Sequence, residues 1–282
     1  MSSGKLRELR GRIRSIISIQ QTTRAMRMIA AVKLRKAQDR LLRLRPYRQQ
    51  SEELLHTLLS QVEEPTKYQV TPPASSSLYV VLSSSRGLCG AFNSGLVRWL
   101  SARLPDPHQT ELLILGKKAY EMLRRSSYKV HFQDVFGGKD IDHTTIRSIA
   151  SQLTDRFLSG SVREVTLVYN RFGGVGKSIP THERLFPLPV PDRVDVRPWI
   201  LEPSLDTLLE SFIPTYVETV LFSAVQESLT AEHSARMVAM QAATDNAEEL
   251  LRTLRLQYNK ARQASITKEL LEIVAGAEAL KG

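Results

Sequence analysis

The C-terminal stretch from Ala235 onward constrains the fold more than any other part of the chain. It opens Ala235-Arg-Met-Val-Ala-Met-Gln-Ala-Ala-Thr-Asp-Asn-Ala and continues through Tyr258-Asn-Lys-Ala-Arg-Gln-Ala-Ser-Ile-Thr-Lys-Glu-Leu, with no proline and only Gly276 and Gly282. Apolar or small residues recur at Ala235, Ala239, Ala242, Ala243, Leu250, Leu254, Tyr258, Ala261 and Ile273. Steps of three and four mark one face of a helix. Small residues on that face let a second backbone come close, so Ala239, Ala242 and Ala243 are the expected seam of a helix gripped along its length.

The same helix is expected to begin near Pro203-Ser204, with Ser204 as N-cap and Asp206 in the first turn. Its stripe runs through Leu205, Leu208, Phe212, Tyr216 and Val220. Pro214 marks either a kink or a fresh start. A helix over 204–280 is about 115 Å long at about 1.5 Å per residue. No domain of this size buries that length. A second long helix must accompany it, and a surrounding partner must cover what protrudes.

That companion lies at the other end. Leu6, Leu9, Ile13 and Ile16, then Met26, Ala30, Leu34, Ala37, Leu41 and Leu44 continue at helical spacing, with Gln20 and Thr23 on the stripe between them. Polar seam positions weaken packing locally but fix register. A helix is expected over about 5–59, kinked near Arg43–Pro46, where proline removes a donor. The segment is strongly basic. Residues 1–50 hold 14 of the 39 Lys and Arg, against Glu8 and Asp39, so they carry the whole formal net charge of +10. Such a stripe attracts an acidic protein surface, a nucleic acid or anionic lipid. Arg-rich, acid-poor composition also suits a mitochondrial transit peptide, but the apolar stripe does not stop where one would end.

The middle of the chain has a different pattern. Pro65, Pro72, Pro73 and a serine cluster make 63–77 a linker. Short apolar β-rich runs follow at Leu78-Tyr-Val-Val-Leu, Leu112-Leu-Ile-Leu, 128–132 and 164–170, with amphipathic stretches at about 93–104, 117–125 and 141–158. Strands alternating with helices imply a parallel or mixed α/β sheet. A further strand pair within 178–188 contends with prolines. The expected fold class is therefore α/β with long helices, in three parts: 1–60 and 204–282 as terminal helices and 76–195 as the α/β domain. No apolar run approaches the roughly 18 residues of a membrane helix, so no direct membrane insertion is expected.

No active site is legible. Arg86-Gly-Leu-Cys-Gly90 follows a strand but fits neither the dinucleotide nor the P-loop spacing, and reads as a tight strand-to-helix turn. Gly173-Gly-Val-Gly-Lys177-Ser178 also fails, since Pro180 follows where a helix would begin. Cys89, the only cysteine, has no histidine near it in sequence and reads as a small buried residue. His131, His143, His182 and His233 lack metal-ligand spacing. Catalytic, cofactor-binding and metal residues are accordingly none.

Four ordered stretches carry a resemblance: Leu9-Arg-Gly-Arg-Ile-Arg-Ser-Ile, Thr23-Arg-Ala-Met-Arg-Met-Ile-Ala-Ala-Val-Lys-Leu-Arg-Lys-Ala-Gln38, Arg86-Gly-Leu-Cys-Gly-Ala-Phe-Asn93 and the C-terminal motifs. They resemble the gamma subunit of F-type rotary ATP synthase, bacterial type. The resemblance implies a central rotor shaft, an antiparallel coiled coil of N- and C-terminal helices with an inserted Rossmann-like α/β domain at its foot. It implies a shaft without catalysis of its own, turning inside a ring of alpha and beta subunits, resting on the proton-driven membrane c-ring and touching the epsilon subunit, peripheral on the cytoplasmic face of the bacterial cell membrane. It assigns ring contact and torque to Met26, with Arg24, Arg27, Lys33 and Arg35 facing acidic loops, and to Arg262, Gln263, Thr267 and Glu269. It makes Leu270, Ile273, Val274, Ala277 and Leu280 an apolar bearing. Ser85 stands where an acidic residue often precedes the Arg-Gly-Leu-Cys-Gly motif. The insertion and cysteine pair of photosynthetic members are absent, so thiol regulation is not expected.

Two other readings fit parts of the sequence. A nucleic-acid-binding regulator would lay the basic helix in a groove, but needs a separate dimerisation zipper. A nucleotide-dependent α/β enzyme predicts saturable nucleotide binding by 76–195.

Overall fold

A computed structural model describes residues 2–136, 142–190 and 201–279. Five helices and five strands follow in order, with a short 3-10 turn at Pro107–Gln109. They are α1 (Ser2–Ser60), β1 (Ser77–Leu82), α2 (Phe92–Ser101), β2 (Thr110–Leu115), α3 (Lys117–Leu123), β3 (Lys129–Gln133), α4 (His143–Leu158), β4 (Glu164–Phe172), β5 (Ser178–Phe186) and α5 (Leu205–Ala279). The sheet order is β3-β2-β1-β4-β5. The first four positions pair in parallel and β5 pairs antiparallel to β4.

Both terminal helices are single elements. Pro46 and Pro214 lie inside them, so Pro214 does not start a new helix. The Ser204 hydroxyl accepts the Thr207 N–H at 3.3 Å, which caps the first turn of α5. Where a strand pair was expected over 178–188 there is one strand. Pro180 is tolerated because β5 is an edge, where the missing donor is not needed.

The chain divides into two compact units, Met1–Ile29 with Met237–Gly282, and Ala30–Arg236. This division cuts across the three parts expected from sequence, because packing joins the sheet to parts of both terminal helices. Within the second unit one core gathers Leu55, Leu58 and Leu59 of α1, Ile149, Leu153 and Phe157 of α4, Leu78, Val80 and Leu167 of the sheet, and Leu209, Ile213, Val217, Leu221 and Ala224 of α5. The opposite face of the sheet packs Leu96 and Leu100 of α2 and Ala119 and Leu123 of α3 against Val81, Leu112, Ile114 and Val168. A sheet covered on both faces explains the unbroken apolar runs of β1 and β2.

Within α5 an 18-residue window reaches a mean hydropathy of 1.3, enough by length and composition for a membrane span, and half of that window is buried inside the protein. The seven buried side chains that α5 supplies to this core between Leu209 and Val225 account for that apolar character.

Candidate functional site

In the second unit, the Arg86–Gly90 turn is filled by its own protein groups. The Asn93 side chain accepts the Ser84 N–H at 3.0 Å and donates to Ser84 Oγ at 2.8 Å and Cys89 Sγ at 3.2 Å. All three side chains are buried. Burial pushes the Cys89 thiol up, against the Ser84 hydrogen bond and the charge of Arg236, so it is held as a neutral packing group. Leu88 adopts a left-handed φ of 62° and is exposed. Ser85 Oγ donates to the Asp134 carboxylate.

Helix α5 meets this turn through Arg236. Its guanidinium contacts the carbonyls of Arg86 at 3.3 Å and Gly87 at 3.2 Å and pairs with Glu232. Burial raises the Glu232 carboxyl above its ordinary range, with Arg236, Lys33 and Arg86 opposing. Beside it, burial and the charges of Arg236 and Lys33 lower His233 to about 4. Further along, Arg48 of α1 pairs with Glu183 of β5. Burial weighs against the Arg48 charge, but Glu183 and Tyr169 outweigh it and raise its pKa. Tyr169 is pushed to about 12, mainly by burial and then by Glu183. Among the described residues no group of three or more His, Cys, Asp or Glu is gathered to hold a metal. These groups position one another, and none forms a nucleophile with a base.

The first unit consists of the N-terminal part of α1 and the C-terminal part of α5. The Arg10 guanidinium donates to Tyr258 at 2.8 Å, the hydroxyls of Thr23 and Thr244 meet at 2.9 Å, and Arg27 donates to Gln241. Partner numbers fall along α5 as they rise along α1, so the helices run antiparallel. Buried and half-buried positions on α5 include Met240, Thr244, Ala247, Leu251, Leu254, Tyr258, Ala261 and Ser265; on α1 they include Leu9, Ile13, Ile16, Gln20 and Thr23. Both sets step by alternating fours and threes, the spacing of a seam between two wound helices. The exposed face of α5 beyond them carries Leu270, Leu271, Ile273 and Val274.

A family model described as ATP synthase matches residues 5–280. The ATP synthase gamma chain of Flavobacterium johnsoniae is 40% identical over 287 residues, covering 98% of this chain and 99% of that one. The chain belongs to the ATP synthase gamma-chain family. A second gamma chain, from Moorella thermoacetica, is 38% identical over 281 residues, with 98% and 99% covered. Among solved structures, a chain of the Euglena gracilis mitochondrial ATP synthase matches with a TM-score of 0.69, 21% identity, and 99% and 95% of the two chains covered. A chain of the Tetrahymena thermophila central stalk/c-ring structure matches at TM-score 0.62 and 26% identity, covering 79% of this chain and 99% of that one. As a gamma chain it is the rotor subunit of an F-type ATP synthase central stalk.

The residues that the sequence resemblance singles out fall as follows. Arg24, Lys33 and Arg35 are exposed on α1 and Met26 is half-buried. Arg27 is half-buried, and its guanidinium donates to Gln241 within the first unit. Arg262, Gln263, Thr267 and Glu269 are all exposed on α5, as are Leu270, Ile273, Val274 and Ala277. Leu280 lies outside the described residues. Of the expected seam, Ala242 is exposed, while Ala239 and Ala243 are half-buried like Tyr258 and Ala261, and Met240, Thr244 and Ala247 are buried. One residue is about 100° of helix rotation, so a reading off by one places an alanine on the flank. The strict four-three alternation from 240 to 265 is the signal that marks the true face. Sequence reasoning also missed Glu227, Glu232 and Arg236, since nothing local shows which polar residues of a helix meet a loop.

Proposed function

We propose that this gamma chain is a non-catalytic shaft whose terminal helices form an antiparallel coiled coil and whose α/β portion is Rossmann-like. Torque passes by it between a proton-driven membrane c-ring and a catalytic ring of alpha and beta subunits, and it touches an epsilon subunit. The site of action is the periphery of the cytoplasmic face of a bacterial membrane, in keeping with the bacterial relatives. The sequence parts 1–60, 76–195 and 204–282 serve as helix, foot and helix. No cofactor, metal or nucleic acid enters the reading.

The observation that carries it is the unpaired apolar surface of the two helices. Met28, Ile29 and Val32 of α1 are 55–59% exposed, and Leu270, Ile273 and Val274 of α5 are 58–68% exposed. Contiguous exposed apolar side chains mark an interaction site. Around them stand exposed cations at Arg24, Lys33 and Arg35 and polar groups at Arg262, Gln263, Thr267 and Glu269. Cations suit acidic loops, and oriented polar groups transmit torque where a smooth apolar tail only centres the shaft. The apolar tail, with Leu280 at its end, serves as that bearing, while Met26 passes the moving loops with Arg27 behind it.

Copurification tests the reading: the tagged chain brings down alpha and beta subunits as one complex, and alone shows only background ATPase. Turnover by the isolated chain, abolished by a point change within it, would overturn the non-catalytic assignment. Met26→Lys adds a charge contact to be broken at each step, and proton pumping per ATP in membrane vesicles falls more than assembly does. An unchanged ratio removes Met26 from the contact.

A further inference from the structure

We infer that Glu227 is a positioning residue that keys α1, α5 and the sheet against rotation, so that torque crosses between sheet and helices without slip. The inference rests on the rotor reading above and deepens it. Glu227 lies on α5 and is 6% exposed. Its Oε1 accepts Nε and Nη2 of Arg45, on α1, at 3.1 and 2.8 Å. Its Oε2 accepts the backbone N–H of Phe172, the last residue of β4, at 2.9 Å. One buried carboxylate therefore joins three elements of the second unit.

A second contact lies seven residues on. The N–H of Gly176, in the turn between β4 and β5, donates to the buried Ser234 hydroxyl at 2.8 Å. Seven residues are about two turns, so Glu227 and Ser234 share a face of α5. The end of the β4–β5 hairpin thus holds α5 at two points along its axis. The same hairpin holds α1, because Arg48 pairs with Glu183 of β5 and Tyr169 of β4 donates to Glu183 at 3.1 Å.

The packing around these contacts shows why a rotor needs them. The buried residues of α5 here include Ser223, Ala224, Ser228, Ala231 and Ser234. Short side chains offer low ridges, and low ridges resist turning of a helix about its own axis only weakly. Hydrogen bonds are directional and fail steeply when misaligned. The bonds to Glu227 are charge-assisted and converge on a buried carboxylate, with Arg45 reaching it from a half-exposed position. Over residues 227–234, beyond the apolar anchors Leu209 through Val225, these bonds are what rotation of α5 against the sheet meets first.

The test uses the assembled ATP synthase in sealed vesicles, carrying wild-type chain, Glu227→Ala, Glu227→Gln or Arg45→Met. The readouts are ATP hydrolysis, proton pumping per ATP, and the melting temperature of the complex, with coupling measured well below each melting point. Glu227→Ala is expected to assemble and hydrolyse ATP while pumping per ATP falls about twofold or more, the scale of a residue that modulates coupling. Glu227→Gln keeps an acceptor for one of its two partners and restores part of the ratio. Arg45→Met keeps the Phe172 bond and lowers the ratio less than Glu227→Ala does. A lowered melting temperature with a wild-type ratio in Glu227→Ala and Arg45→Met overturns the inference, leaving Glu227 a packing group. If Glu227→Ala does not assemble, a wild-type ratio in both Glu227→Gln and Arg45→Met overturns it equally. If complexes with the wild-type chain fail to couple hydrolysis to pumping, the rotor reading itself falls.

Discussion

Glu232 and Arg236, one turn apart on α5, form an ion pair at 2.7 Å with side chains only 9% and 12% exposed, and the same guanidinium reaches the carbonyls of Arg86 and Gly87. The pair holds a sheet turn to the helix. Removing one partner of a buried pair leaves a desolvated charge, so Arg236→Ala is expected to cost about 3–5 kcal/mol. Arg236→Lys restores only part, because one ammonium cannot match the planar fork. Denaturant titration of the full chain measures both. A loss near zero for Arg236→Ala would show that water replaces the guanidinium freely.

His233 gives the chain an acid sensitivity. Its Nδ1 is buried without a hydrogen-bond partner, and its pKa is lowered to about 4 by burial, then by Arg236 and Lys33. The folded chain thus prefers the neutral ring. Its stability contribution is present above the unfolded value of about 6.5 and is lost as pH falls from there through 4. The loss approaches about 3 kcal/mol below pH 4. Glu232, lifted by burial, titrates with the opposite sign, so the comparison is between wild type and His233→Gln. The gap between their pH–stability curves should open below pH 6.5; parallel curves would place His233 in contact with water.

Two glycines should respond in opposite directions. Gly116, between β2 and α3, has φ 125°, and a Cβ there would stand 2.1 Å from the Ser83 carbonyl oxygen. Gly116→Ala should cost about 3 kcal/mol or more, since strain and overlap add. Gly95 lies inside α2 with nothing within 4 Å of its Cβ position. Gly95→Ala should stabilise by about 0.5–1 kcal/mol from backbone entropy. Melting of the full chain separates them, and equal effects would refute the local geometry.

Legibility from sequence followed the kind of force involved. Runs such as Leu78–Leu82 and Leu112–Leu115 announce buried strands because burial on both faces demands unbroken apolar residues. The long helices were legible from periodicity over many turns. The α5 face was read one residue off at Ala242, because small side chains look alike on the face and on its flank. Pro180 obscured β5, as edge position depends on neighbours distant in sequence. Glu227, Ser234 and Arg236 were illegible for the same reason: their partners, Phe172, Gly176 and Gly87, are brought to them only by tertiary folding.

The seam itself offers a contrast. Ala247 is buried, whereas Ala242 is exposed. Ala247→Leu should cost about 1–3 kcal/mol through overpacking, while Ala242→Leu should stay within about 0.5 kcal/mol. Thermal melting of the full chain reports both. A larger loss at Ala242 would restore the seam to the position first read from sequence.

The final prediction concerns grip on α5. Arg262, Gln263, Thr267 and Glu269 are exposed, and Glu269 accepts a hydrogen bond from buried Ser265 at 3.2 Å, which steadies its carboxylate. Arg262 and Glu269 stand about two turns apart and share a face, as do Gln263 and Thr267 one turn apart. Polar groups fixed in azimuth bond differently in each orientation of a surrounding ring, so they resist turning. On the reading proposed above, the exposed Leu270, Ile273 and Val274 offer no such direction and serve only to centre the helix. Arg262→Ala with Gln263→Ala removes bonds worth about 1–3 kcal/mol, and ATP-driven turnover should fall about tenfold while the complex still assembles. Truncation after Val274 should be milder, because a bearing shortened by a few residues still centres. Steady-state turnover of assembled complexes, normalised to beta subunit, measures each variant. Full turnover in the double variant would sink the assignment of grip to this face, and collapse of turnover on truncation would move it to the apolar end.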